Sequence, residues 1–87
     1  MPLRIPSRLA WQVIDGEAVL IDLAHGKSLG LNPTGTLVWS LLAAQHDEAA
    51  IAERVAERFA TSPEQARDDV SAFLKALVER GLLVTEA

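Results

Sequence analysis

Eighty-seven residues, 49% of them apolar and none of them Cys, describe one small domain whose core closes without disulfides or thiolate-bound metal. The net charge of −4 is gathered in one half: residues 44–87 carry nine acids and five bases, whereas residues 1–31 balance three against three. An acidic surface disfavours phosphate backbones. No apolar run approaches the ~20 residues that span a bilayer, and "MPLRIPSR" lacks a signal peptide's continuous apolar stretch. The expectation is a cytoplasmic protein that contacts neither nucleic acid nor membrane.

Residues 1–7, with two prolines and little pattern, read as an extended lead-in. From Arg8 to Ile14 the text alternates: Leu9, Trp11 and Val13 share one strand face, with Ala10, Gln12 and Ile14 on the other. Asp15-Gly16 is the two-residue turn that closes a hairpin, because both positions need positive φ. Glu17 to Leu23 returns as a second strand, His25-Gly26 marks another tight turn, and Lys27 to Leu31 supplies a third, shorter strand.

The period then changes. Asn32 is a good N-cap, and Pro33 sits at the first helical position, where its missing N–H costs nothing. Leu37, Val38, Leu41 and Leu42 make one apolar stripe, and Trp39 lies off it, toward the sheet. A second helix runs from about Glu48 to Phe59, with Ile51, Val55 and Phe59 spaced by four. Ser62 caps a third helix opened by Pro63, Gln65 is placed to complete a capping box, and Gly81 ends it. Leu82 to Val84 form an apolar tail that packs on the core or adds a short strand. The expected fold is α+β, β-β-β-α-α-α. It is a single domain: lead-in 1–7, three-stranded antiparallel meander 8–31, three helices 32–81 and tail 82–87. If the strands lie in sequence order, the third has an outer edge without a partner.

Catalytic machinery is not apparent. His25 and His46 are 21 positions apart in a turn and a loop, without Cys or an HExxH-like spacing. Asp68 and Asp69 diverge by about 100° on a helix and do not share a ligand. Gly26, Gly30 and Gly35 match no phosphate-loop spacing. Gly30 inside the third strand signals either a bulge or tight sheet–helix packing, or else room for an incoming strand. Neither catalytic residues, nor metal ligands, nor a cofactor are expected.

"LIDLAHGKSLGLNPTGTLVWSLL", then a helix, then "SPEQARDDVSAFLKALVERGLL", resembles the PqqD family, coenzyme PQQ synthesis protein D. Leu31-Asn32-Pro33-Thr34-Gly35 running into Trp39 and Leu42, and Phe73-Leu74…Leu77…Gly81-Leu82, carry the likeness over about residues 8–84. Trp39-Ser40-Leu41-Leu42 is similar to the broader PqqD-like set, which leaves the pathway open between PQQ biosynthesis and other peptide modifications. The resemblance implies a small winged helix-turn-helix domain that acts as a non-catalytic recognition element for ribosomally made, post-translationally modified peptides (RiPPs). Such a chaperone takes the leader of a precursor peptide as an extra strand on the third strand, against the third helix. It then presents the precursor to a radical SAM or other peptide-modifying enzyme.

On that reading Ser28, Leu29, Gly30 and Leu31 supply mostly backbone contacts. Around the third helix, Ala66, Val70 and Leu77 centre the buried face; one flank carries Asp69, Phe73, Ala76 and Arg80, the other Arg67, Leu74 and Val78. The first flank has a groove's composition: an apolar wall at Phe73, space at Ala76, and opposite charges at Asp69 and Arg80. Two other readings share the architecture. A winged-helix DNA-binding protein would need basic or amide residues on a recognition helix, where this chain offsets Arg54 and Arg58 with Glu53 and Glu57. A plain dimerisation module would pair the free sheet edge with its own copy, giving a homodimer.

Overall fold

In the computed structural model, which describes residues 3–86, the chain forms β1 (Leu3–Arg4), β2 (Leu9–Ile14), β3 (Glu17–Asp22) and β4 (Lys27–Gly30). There follow α1 (Pro33–Ala43), α2 (Glu48–Phe59), α3 (Pro63–Glu79) and β5 (Val84–Thr85). This is the expected α+β order, with one addition: β1 from the lead-in pairs antiparallel with β5 from the tail. Residues 1, 2 and 87 at the ends of those two segments lie outside the described residues.

The hairpin forms where the turn chemistry requires. Asp15 and Gly16 adopt φ of +52° and +80°, and β2 pairs with β3 from Ile14↔Glu17 to Leu9↔Asp22. Asp22 organises the next turn. Its carboxylate accepts from the Ala24 and His25 N–H groups and contacts His25 Nδ1 at 2.9 Å, and its carbonyl accepts from Gly26 N–H. These bonds aim the chain back into β4. The sheet order is β2-β3-β4. Ala18 and Leu20 point inward beside Leu9, so Val19 and Ile21 take the opposite face.

Capping residues start all three helices. Asn32, Asp47 and Ser62 accept from Gly35, Ala50 and Gln65 N–H groups at 2.7, 2.8 and 3.1 Å. Two details differ from expectation. Gln65 does not reach back to complete a capping box; its side-chain amide donates to Asp69 one turn ahead, 2.8 Å away. The buried face of α1 is also wider than one stripe. Val38 and Leu41 are buried as expected, but so are Gly35, Thr36 and Trp39, while Leu37 and Leu42 are half-buried. The cause is that α1 packs on β3 and on α2, so more than one side is covered. Trp39 is fully buried and meets Trp11 of β2 edge-to-face, with ring centroids 6.2 Å apart.

Ile51 and Val55 of α2 and Ala66, Val70, Leu74 and Leu77 of α3 complete the core. Gly81 at φ +75° ends α3, with Leu82 N–H returning to the Leu77 carbonyl. Leu83 then drops into the core. Arg8 donates to the Gly81 carbonyl and lies 3.6 Å from Asp22, fastening the end of α3 to the sheet.

Candidate functional site

The phase of the β3–β4 ladder decides what the outer edge offers. Leu31 N–H donates to the Ala18 carbonyl at 2.8 Å, and β3 pairs with β4 through Leu20↔Leu29 and Asp22↔Lys27. Alternate residues of an antiparallel strand direct their backbone groups to opposite sides. Lys27, Leu29 and Leu31 therefore bond inward to β3, and Ser28 and Gly30 turn their N–H and C=O outward. Of the four β4-side residues read from the sequence, two carry free backbone groups and two hold the edge in place. The tail does not cover this edge, because β5 pairs with β1.

Thr36 closes the ladder at its open end. Its hydroxyl accepts from Ala18 N–H at 2.8 Å and sits 3.4 Å from the Leu31 carbonyl. A side chain from α1 thus takes the place of a missing ladder bond and ties the exit of β4 to the helix. Gly30 is not a close-packing glycine: a Cβ built there meets nothing within 4 Å. The bulge-or-packing alternative for Gly30 therefore lacks its packing half, and the open space lies over the sheet face that Gly30 shares with Val19.

Gly35 is the close-packing glycine. A methyl group there would approach the Phe73 ring to 3.1 Å and Asn32 Oδ1 to 3.2 Å. This contact seats Phe73 against the first turn of α1, five residues beyond Gly30. Phe73 is half-buried, and Asp69, Ala76 and Arg80 on its flank are exposed. The other flank faces elsewhere: Arg67 lines a groove against α2, and Leu74 lines a cleft with Leu42 and His46. Phe73 itself thus stands on the first turn of α1, the helix into which β4 leads.

The packing role of Gly35 and the capping role of Thr36 escaped the sequence reading. Gly35 carried a signal, since glycine inside a helix costs about 1 kcal/mol relative to Ala and implies a packing reason. Thr36 carried none, because its partners Ala18 and Leu31 belong to other elements.

The cleft of about 710 Å³ between β1 and the α1–α2 loop, and the α2–α3 groove of about 570 Å³, include none of the eight predicted site residues. A peptide that adds as a strand uses an edge and its shallow margin rather than an enclosed cavity. Among the described residues, no group of three or more His, Cys, Asp or Glu side chains is disposed to hold a metal, and no helix is long and apolar enough to cross a membrane. The Asp22 carboxyl is held below its usual range, chiefly by its hydrogen bond to the His25 side chain, and by the His25 and Ala24 amides.

The family model for coenzyme PQQ synthesis protein D (PqqD) matches residues 17–83. No curated protein matches the chain. TbiB1, solved in complex with the TbiA(beta) leader peptide, is 28% identical with a TM-score of 0.89, over 97% of this chain and 98% of that one. A lasso peptide synthetase B1 complexed with its leader peptide also has a TM-score of 0.89, over 98% of this chain and 100% of that one. Its 24% identity speaks to fold alone.

Proposed function

The chain belongs to the PqqD family, and from that premise we propose that it is a non-catalytic recognition element. It binds the leader of a ribosomally made precursor peptide by strand addition to β4 and presents the precursor to a modifying enzyme, a radical SAM protein or another. The observation that carries the reading is the outward N–H and C=O of Ser28 and Gly30 on an uncovered edge that leads into α1, on whose first turn Phe73 of α3 rests. Likeness to TbiB1, itself solved with a leader peptide, supports it.

Ser28 and Gly30 supply ladder bonds; Leu29 and Leu31 hold the edge; Phe73 walls the groove; Ala76 leaves it open; Asp69 and Arg80 set its charged ends. The encounter takes place in the cytoplasm, where a Cys-free chain forgoes no disulfide. PQQ biosynthesis and a related peptide-modification pathway both fit this role. Self-pairing through β4 would consume the same two residues and so compete with the leader.

The test is titration with synthetic leader peptides from precursor genes neighbouring this one, followed by amide chemical shifts. Binding with shifts concentrated in residues 27–31 and 66–80 is expected. Phe73→Ala and Asp69→Ala should weaken binding while circular dichroism stays unchanged. Shifts centred on α2, or affinity indifferent to both substitutions, would overturn the site.

A further inference from the structure

We infer that the opposite border of the sheet, β2, is a self-association edge that joins two copies while leaving both β4 edges free. The ladder phase again supplies the geometry. Leu23 N–H donates to the Arg8 carbonyl at 3.0 Å, so in the β2–β3 pair Ala10, Gln12 and Ile14 bond inward. Trp11 and Val13 direct their N–H and C=O outward, where the sheet ends.

This edge lacks the devices that keep a sheet border monomeric. It is six residues long, Leu-Ala-Trp-Gln-Val-Ile, with neither Lys, nor Pro, nor any charge between Arg8 and Asp15. β4, by comparison, has four residues, one of them Lys27. Val13 and Ile14, two of the four exposed large apolar side chains among the described residues, sit on β2 at 45% and 51% exposure.

A second copy fits the edge better than an unrelated strand because the pattern is complementary to itself. A two-fold axis through Gln12 sets Trp11 opposite the partner's Val13, and Val13 opposite the partner's Trp11. Both pairs then exchange N–H···O=C bonds. On the helix side this forms two aromatic–β-branched pairs, a favoured cross-strand combination. On the outer face Ala10 meets the partner's Ile14 and the two Gln12 amides face one another. At the ends, the backbone of Arg8 comes opposite the partner's Asp15-Gly16 turn, while its guanidinium stays on Gly81 and Asp22. The product is one six-stranded antiparallel sheet with the two β4 edges at its outer borders. It would display two leader-binding sites to a modifying enzyme.

Sedimentation velocity from micromolar to millimolar protein should show monomer converting to dimer. Val13→Pro is the selective block: the proline removes a donor that points to solvent in the monomer, so the β2–β3 ladder keeps its bonds. It should weaken dimerisation at least about tenfold, or about 1.4 kcal/mol, with an unchanged circular dichroism spectrum and unchanged leader affinity. Ser28→Pro should do the reverse, preserving the dimer and abolishing leader binding. Because the two variants read separate edges, failure of the leader site and failure of the dimer are distinguishable. Hydrogen exchange on the unmodified chain adds a mutation-free readout: Trp11 and Val13 amides should gain protection with concentration while Gln12 does not change. A chain monomeric at millimolar concentration, a dimer lost to Ser28→Pro instead, or β2 amides protected only when the modifying enzyme is added would each overturn the proposal.

Discussion

Phe73 of α3 rests against Gly35 of α1 so closely that a single methyl group on Gly35 would stand 3.1 Å from the ring edge. The pair fixes how far the Phe73 wall stands from the point where β4 runs into α1. Gly35→Ala should therefore separate stability from binding. The alanine gains about 1 kcal/mol of helix propensity, and the half-buried ring yields toward the open side, so the midpoint of chemical denaturation should change little. Leader affinity should fall about tenfold, near 1.4 kcal/mol, because the displaced ring encroaches on the incoming strand. Unchanged affinity measured by isothermal titration would detach Phe73 from the groove.

Thr36 tests the ladder from its other end. Thr36→Val keeps the shape but leaves the Ala18 N–H, at a fully buried residue, without its acceptor. An unsatisfied buried donor costs about 1–3 kcal/mol. Thr36→Ser retains the oxygen, loses one methyl group and should cost about 1 kcal/mol or less. Urea denaturation ranks the two. The expected order is Val worse than Ser, and the reverse would make the methyl contact the more important.

The elements most legible in the sequence are those whose signal is local. Asp15-Gly16 between two period-two runs specifies a hairpin, and Asn32-Pro33 and Ser62-Pro63 specify helix starts, because each acts within one turn of the chain. Where two partners compete, legibility fails. Gln65 has an acceptor behind it and a carboxylate ahead, and the carboxylate of Asp69 takes it. The wide buried face of α1 depends on being covered from two sides. The β1–β5 ribbon is too short to show a period. At the site, the third strand and its free edge were readable, but the outward turn of Ser28 and Gly30 was not. That phase rests on Leu31 bonding Ala18 and on Thr36 capping the pair, contacts made across 13 and 18 positions of the chain.

Asp22 provides a pH signature. Its folded pKa lies below the ordinary value of 3.8, chiefly through the His25 side chain. A depressed carboxylate stabilises the fold above the unfolded value, and that contribution is lost as pH falls through the lowered folded value. Asp22→Asn keeps a carbonyl oxygen for the turn amides but surrenders the charge near Arg8 and His25. The parent should be more stable than this variant by a constant margin well above pH 3.8, and the margin should close as the solution is acidified below it. Melting curves across that range decide the matter; a margin that persists in strong acid would assign the effect to shape rather than charge.

Trp39 sets two buried terms against each other. The side chain is fully buried and stacks edge-to-face on Trp11, yet its indole N–H has no hydrogen-bond partner among the described residues. Removing a large aromatic side chain from a core costs about 3–5 kcal/mol in a change to Ala. An unpaired buried donor already carries a desolvation cost of about 1–3 kcal/mol. Trp39→Phe keeps an aromatic ring for Trp11, discards the orphaned donor and opens only part of the cavity. Its net loss should be about 1–2 kcal/mol, well short of the loss for Trp39→Ala. Guanidinium denaturation of the two variants makes the comparison. Equal losses would overturn this account, because the aromatic ring that Trp39→Phe retains would then contribute nothing and the indole N–H would have to be paired in solution.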